Sequence, residues 1–239
     1  MKKTIALISL CLVNTTHATI DYSVKGEITS NGNNNALLMS GTPSLPTELK
    51  DSLKSIKKQI KTKGYYESDN EYAKFLINLE NENSTNLLPT FMDENGENDF
   101  IKDPNKLKLA VQKKFPSYIM KKEILGTTPI GSWIKNKNGW SGYKLFFKQN
   151  KLTTCAFSYF NLSMSNGHVM PSNNDNEKEY IGEKESSSEV SGNEKSGYIY
   201  SVMWFTSDEV KVLDCAQSEF TKNEINSVKK LAELIDGNQ

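Results

Sequence analysis

The chain has 239 residues, with 29 basic groups balanced by 29 acidic ones, 36% hydrophobic residues and a mean hydropathy of −0.57. That length supports a full hydrophobic core, and the polar average points to ordered regions separated by polar loops rather than to a dense enzyme barrel. Every basic residue is lysine; without arginine's planar fork, the usual grip on phosphate and guanine edges, and with no net charge, nucleic-acid recognition is excluded from the expected functions.

Met1-Lys2-Lys3 opens the chain with charge, Thr4 to Val13 form an apolar run, and Thr16-His17-Ala18 supply a small-x-small cleavage site. The run is too short for a permanent anchor. Cys11 lies inside it without the small residues of a lipoprotein box. This segment resembles bacterial Sec signal peptides. The resemblance implies a leader over 1–18, export to the periplasm or beyond, and no transmembrane segment once the leader is removed. Loss of Lys2 and Lys3 tips the charge slightly acidic.

Export gives the cysteine count its meaning. Cys155 and Cys215 are the two that survive cleavage, and an oxidising compartment favours their pairing. The bridge would close a loop of about 60 residues and add on the order of 3–4 kcal/mol by restricting the unfolded chain.

Residues 19–45, with Ser30-Asn-Gly-Asn-Asn-Asn35 and Gly41-Thr-Pro-Ser-Leu-Pro46, read as a flexible arm. A single α+β domain is expected over 46–239. Leu45, Leu49, Leu53, Ile56 and Ile60 form one apolar stripe, which predicts a helix that Gly64 stops. A second helix is expected from Ser68-Asp-Asn-Glu71, read as a capping box, with Tyr72, Phe75, Leu76 and Leu79 on its buried side. Asp103-Pro104 predicts the start of a third, carrying Leu107, Leu109, Val111 and Phe115.

From Gly126 the texture becomes β. Lys135-Asn-Lys-Asn-Gly139 holds an Asn-Gly turn signal, and Tyr143 to Lys148 with Leu152 to Phe160 predict a hairpin bearing Cys155. Residues 163–196 read as a long polar insert with one short strand near Tyr180-Ile181. Gly197 to Thr206 is apolar on both faces and predicts a strand covered on each side, returning through Glu209 to Cys215. Thr221-Lys-Asn-Glu224 caps a last helix with the stripe Ile225, Val228, Leu231 and Leu234. The layout is α+β: N-terminal helices, then an antiparallel meander of four to five strands, then a C-terminal helix, with one disulfide.

The chemistry-bearing residues are sparse. After His17 leaves with the leader, His168 in the polar insert is the one histidine, which removes multi-histidine zinc sites and leaves no base on a rigid element. Asp93, Asn95, Glu97 and Asp99 surround a glycine, but the spacing is not that of an EF-hand, so the loop is a weak Ca²⁺ candidate and no metal is expected. Ser55-Ile-Lys-Lys58, Ser132-Trp-Ile-Lys135, Ser227-Val-Lys-Lys230, Ser68-Asp-Asn70 and Lys195-Ser-Gly197 are similar to fragments of the penicillin-recognising serine enzymes. A chain this rich in serine and lysine produces Ser-x-x-Lys by chance, and Ser68-Asp-Asn70 follows Ser55 too closely. No phosphate-cradling loop or dinucleotide fingerprint occurs, so no cofactor is expected.

Trp133, Trp140 and Tyr143 cluster near turns, where aromatic rings stack on sugars or anchor a protein partner. The sequence thus reads as an exported bacterial protein of non-catalytic type, a binding or interaction module for a protein or glycan. The rival reading is a small secreted hydrolase using Ser/Lys or paired-carboxylate chemistry.

Overall fold

The computed structural model describes residues 47–79, 100–112, 115–150, 153–165 and 179–237. The expected leader, the arm over 19–45, the acidic loop Asp93–Asp99 and His168 lie outside the described residues.

Helix α1 spans Thr47–Lys63. It ends where Gly64 turns to φ +85, a left-handed value that glycine reaches without steric cost, and the Gly64 N–H bonds to Ile60 O at 2.9 Å. Strand β1 is the pair Tyr66–Glu67, and α2 follows at Glu71–Asn78. The α2 cap is Asn70, not Ser68: the Asn70 side chain accepts the Ala73 N–H at 3.1 Å, while Ser68 is held to β-structure through its own N–H and Gly192 O.

The third expected helix is absent. Asp103 does cap, accepting the Asn105 N–H at 3.0 Å, but only the 3-10 turn Pro104–Lys106 results. Leu107 is then already extended, and Leu109 forms a parallel bridge with Trp140. The reason is visible in the alternation: Leu107 and Val111 are buried, Leu109 is half-buried and Lys108 and Gln112 are exposed, which is the two-residue period of an extended chain. A short helix, α3, covers Ser117–Met120.

The strands that follow are β2 (Glu123–Ile134), β3 (Gly139–Lys148), β4 (Thr154–Asn161), β5 (Glu179–Ile181), β6 (Lys184–Asn193), β7 (Gly197–Phe205) and β8 (Glu209–Gln217), and α4 (Glu224–Gly237) closes the chain. The fold is mixed α+β and dominated by one eight-stranded sheet in the order β1-β6-β7-β8-β4-β3-β2, with β5 on the outer side of β6. The expectation of an N-terminal helical layer feeding a four-to-five-stranded meander does not match. The stretch expected as a polar insert holds the short strand expected near Tyr180-Ile181, β5, and a second strand that was not expected, β6, which pairs from Ser186 to Asn193 with β7. Antiparallel ladders link β6 through β8, β8 with β4, and β4 through β2, whereas β1 joins β6 in parallel.

Strand β8 is threaded between β7 and β4, so Cys215 sits directly opposite Cys155 with Cα atoms 4.1 Å apart, and the two form a disulfide. Both cysteines are buried. The two faces of the sheet are packed differently. On one, α4 lays Val228, Leu231, Ala232 and Ile235 over Tyr200, Val202, Trp204, Leu213 and Phe157. Leu234, expected in that stripe, is 47% exposed; the buried set falls at i, i+3, i+4 and i+7, which brings Ile235 inward instead. On the other face α2 packs Ala73, Phe75, Leu76 and Leu79 over Phe146, Ala156, Ile199 and Ala216.

Asp236 fixes the C-terminal end of α4 to the sheet. Its carboxylate accepts from Trp204 Nε1 at 2.9 Å, Lys211 Nζ at 3.0 Å and Lys184 Nζ at 2.6 Å. Burial alone would raise this carboxyl, yet those three donors hold it below the usual carboxylate range.

Candidate functional site

Two places on the sheet bring unusual side chains together. The first is the β2–β3 end. Asn138 takes the left-handed conformation (φ 49) that the Asn-Gly signal implies, and the turn Lys135–Lys137 that precedes it is exposed. Below the turn Trp133 and Trp140 are directly opposed, with ring centroids 5.6 Å apart, edge to face, and both are half-buried. A bulge at Gly131 and Ser132, where the Ser132 N–H bonds to Ser141 Oγ at 2.9 Å, sets the register of this pair. The 107–111 segment braces it from the side: the Trp140 N–H bonds to Lys108 O at 3.0 Å and the Ala110 N–H to Trp140 O at 2.9 Å. Gly139 is required here, because a Cβ would fall 2.4 Å from the Leu109 carbonyl carbon.

Tyr143, grouped with the tryptophans in the sequence reading, does not belong to that surface. It is 2% exposed and packs against Phe115, Phe157 and Tyr159 on the α4 side, because in β3 it stands an odd number of residues from Trp140 and so points to the opposite face.

The second place is a row of ionisable groups beside α2, where β6, β7 and β8 set Glu189, Ser201 and Asp214 side by side. Ser201 Oγ donates to Asp214 Oδ1 at 2.6 Å. Lys144, from β3, donates to Tyr72 Oη at 3.2 Å and lies 4.7 Å from that ring's centroid. Burial raises the Asp214 carboxyl, opposed by Lys144 and by the Ser201 bond, and burial lowers Lys144, opposed by Asp214. Glu189 is pushed up to about 7 by burial and by the Asp214 charge. A carboxyl titrating near neutrality can take or give a proton, so this row is a chemical candidate as well as a structural one. The sequence signal was present but weak: Lys211 and Asp214 interrupt an otherwise apolar strand, and only the strand order shows that Glu189 and Lys144 share a face with Asp214.

The Ser/Lys fragments are dispersed. Ser55 and Lys58 are exposed on α1, Ser227 and Lys230 on α4, and Ser132 and Lys135 at the hairpin end. Ser68-Asp-Asn70 and Lys195-Ser-Gly197 do meet, but as a clasp. Asn193 Nδ2 donates to Ser68 O at 2.9 Å, Asn193 Oδ1 accepts the Lys195 and Ser196 N–H groups at 2.9 and 2.8 Å, and Ser196 Oγ turns to the same oxygen at 3.1 Å. A shallow cleft of about 460 Å³ lies beside this clasp, bordered by Lys63, Tyr65, Glu67, Lys195 and Tyr198. Its Lys63 is engaged with Glu67 at 3.0 Å. No cluster of three metal-ligating side chains occurs among the described residues, and none of their helices is long and apolar enough to cross a membrane.

Comparison with family models, with curated proteins and with solved structures found no match in any of the three.

Proposed function

We propose that this chain is an exported bacterial protein of non-catalytic type, delivered to the periplasm or the exterior by its leader, and that it binds a partner through the Trp133–Trp140 end of the sheet. The observation that carries the reading is the indole pair itself. Two large aromatic side chains held half-buried at the end of a rigid hairpin are contact area whose ordering cost has already been met in folding. The disulfide suits an oxidising compartment. Fractionation of cells should place the chain outside the cytosol with a mature N-terminus at Thr19. Affinity capture from periplasm and culture supernatant should recover a partner with the wild-type chain and lose it with Trp133→Ala/Trp140→Ala. A full-length chain retained in the cytosol, or capture indifferent to both indoles, sinks the proposal.

The second reading, a small secreted hydrolase, draws on one specific observation: Glu189 and Asp214 flank Ser201 on one face. If it holds, hydrolysis of a glycan or ester panel falls by orders of magnitude in Glu189→Gln and in Asp214→Asn, with folding retained.

A further inference from the structure

The β2–β3 end joins two features with opposite preferences for water. The indoles of Trp133 and Trp140 lie next to half-buried Ile134, while Lys135 and Lys137 are exposed on the turn above them. The bracing segment adds Lys106 and Lys108, both exposed and brought alongside by the bonds between Trp140 and the 108–110 backbone. Asp103 is the acidic group of that segment, and its carboxylate is occupied by the backbone N–H and side-chain amide of Asn105. The β2–β3 turn and its brace are therefore basic around an aromatic centre, with Asp208 and Glu209 of the β7–β8 turn the acidic groups two strands away at the same end of the sheet.

Resting on the reading that this end is the contact surface, we propose that it seats the protein peripherally on a membrane surface rich in anionic lipid headgroups. Two observations favour a bilayer over a discrete acidic ligand. The cations are all lysine, compact hydrated charges that respond to a diffuse negative field, whereas a fixed sulfate or phosphate is better matched by a bidentate fork. The indoles meet edge to face, so they do not form the flat double platform on which a sugar ring or base would stack, but they do present the amphipathic ring edges that settle at headgroup depth.

The test uses the mature chain with its disulfide closed and two vesicle preparations, phosphatidylglycerol mixed into phosphatidylcholine and phosphatidylcholine alone. At about 0.01 M salt the chain should sediment with the anionic vesicles and not with the neutral ones, and should be released at about 1 M salt, where screening acts within about 3 Å. Indole emission should shift to the blue on binding; Trp204, fully buried, contributes a constant background. Lys135→Gln/Lys137→Gln should weaken vesicle binding by about fivefold for each lysine removed, with an unchanged thermal transition as the control for folding. Equal binding to both vesicle types, or no loss in the lysine variant, overturns the inference. So does saturation by soluble dextran sulfate at the same affinity without a blue shift, which would make the ligand an acidic polymer. Loss of a captured protein partner in Trp133→Ala/Trp140→Ala together with no vesicle binding overturns the lipid inference but leaves the contact surface standing; loss of neither removes both.

Discussion

Asp236→Ala isolates the interaction that holds α4 to the sheet. The carboxylate serves two lysines of unequal exposure: the Lys211 side chain is 4% exposed and the Lys184 side chain 31%. Removing the carboxylate takes an ion-pair partner from buried Lys211 and the acceptor from Trp204 Nε1, whereas Lys184 can turn to water. Losing one partner of a buried pair costs about 3–5 kcal/mol, and the Lys184 share, near the surface, adds at most about 1 kcal/mol. The expected loss is therefore about 4 kcal/mol. Urea titration of the disulfide-bonded chain at neutral pH, followed by tryptophan emission, measures it. In a Lys211→Met background the same substitution should cost at least about 2 kcal/mol less, because the buried cation that Asp236 faces is gone. A loss below about 1 kcal/mol, or additivity of the two changes within about 0.5 kcal/mol, would refute the account of a buried ion pair between Asp236 and Lys211. The pH dependence has a definite sign. Asp236 is depressed in the folded chain, so its contribution is present above the unfolded carboxyl value and is lost as acid protonates it. The wild-type advantage over Asp236→Ala should shrink below about pH 4.

Glu189 has the opposite sign. Its folded value of about 7 lies above that of the unfolded chain, so stability from this group is present in acid and is lost as pH rises toward and through neutrality. Glu189→Gln should match the wild type near pH 4 and exceed it at pH 8 by on the order of 2 kcal/mol, read from urea midpoints across that range. Opening the Cys155–Cys215 bond by replacing both cysteines with alanine should lower stability by about 3 kcal/mol, measured against the oxidised parent. Gly142→Ala places a Cβ 2.4 Å from Tyr159 O on the neighbouring strand; prising β3 from β4 should cost about 1–3 kcal/mol in thermal or urea unfolding.

The legibility of this chain in its sequence followed how much each segment announced its environment. The β7 segment Gly197–Phe205 is apolar at successive positions, and the structure covers it on both faces with α4 and α2, as such a run demands. The cysteine pair and the Asn-Gly turn were equally explicit. Strand β6, Lys-Glu-Ser-Ser-Ser-Glu-Val-Ser-Gly-Asn, carries almost no apolar signal; it is a strand because β7 offers it a full ladder, with buried Ser186 and Ser191 small enough to fit beneath their neighbours. The Leu107–Gln112 stretch misled in the other direction, since Leu, Lys, Ala and Gln are good helix formers while the alternation of its burial is that of a strand. At the hairpin end the sequence groups Trp133, Trp140 and Tyr143 by their nearness to the turn, but residue parity across the pleat turns Tyr143 to the opposite face, where it is buried. The acidic row was least visible, because Glu189, Asp214 and Lys144 are neighbours only through strand order.

The sulfur link between β4 and β8 also governs what a single cut can do. Any scission between Cys155 and Cys215 leaves both pieces tethered through those strands, so one proteolytic nick would not shed half of the protein. Disassembly then takes two separate events, peptide-bond hydrolysis and reduction, and the second is shielded by the burial of both cysteines in the centre of the sheet.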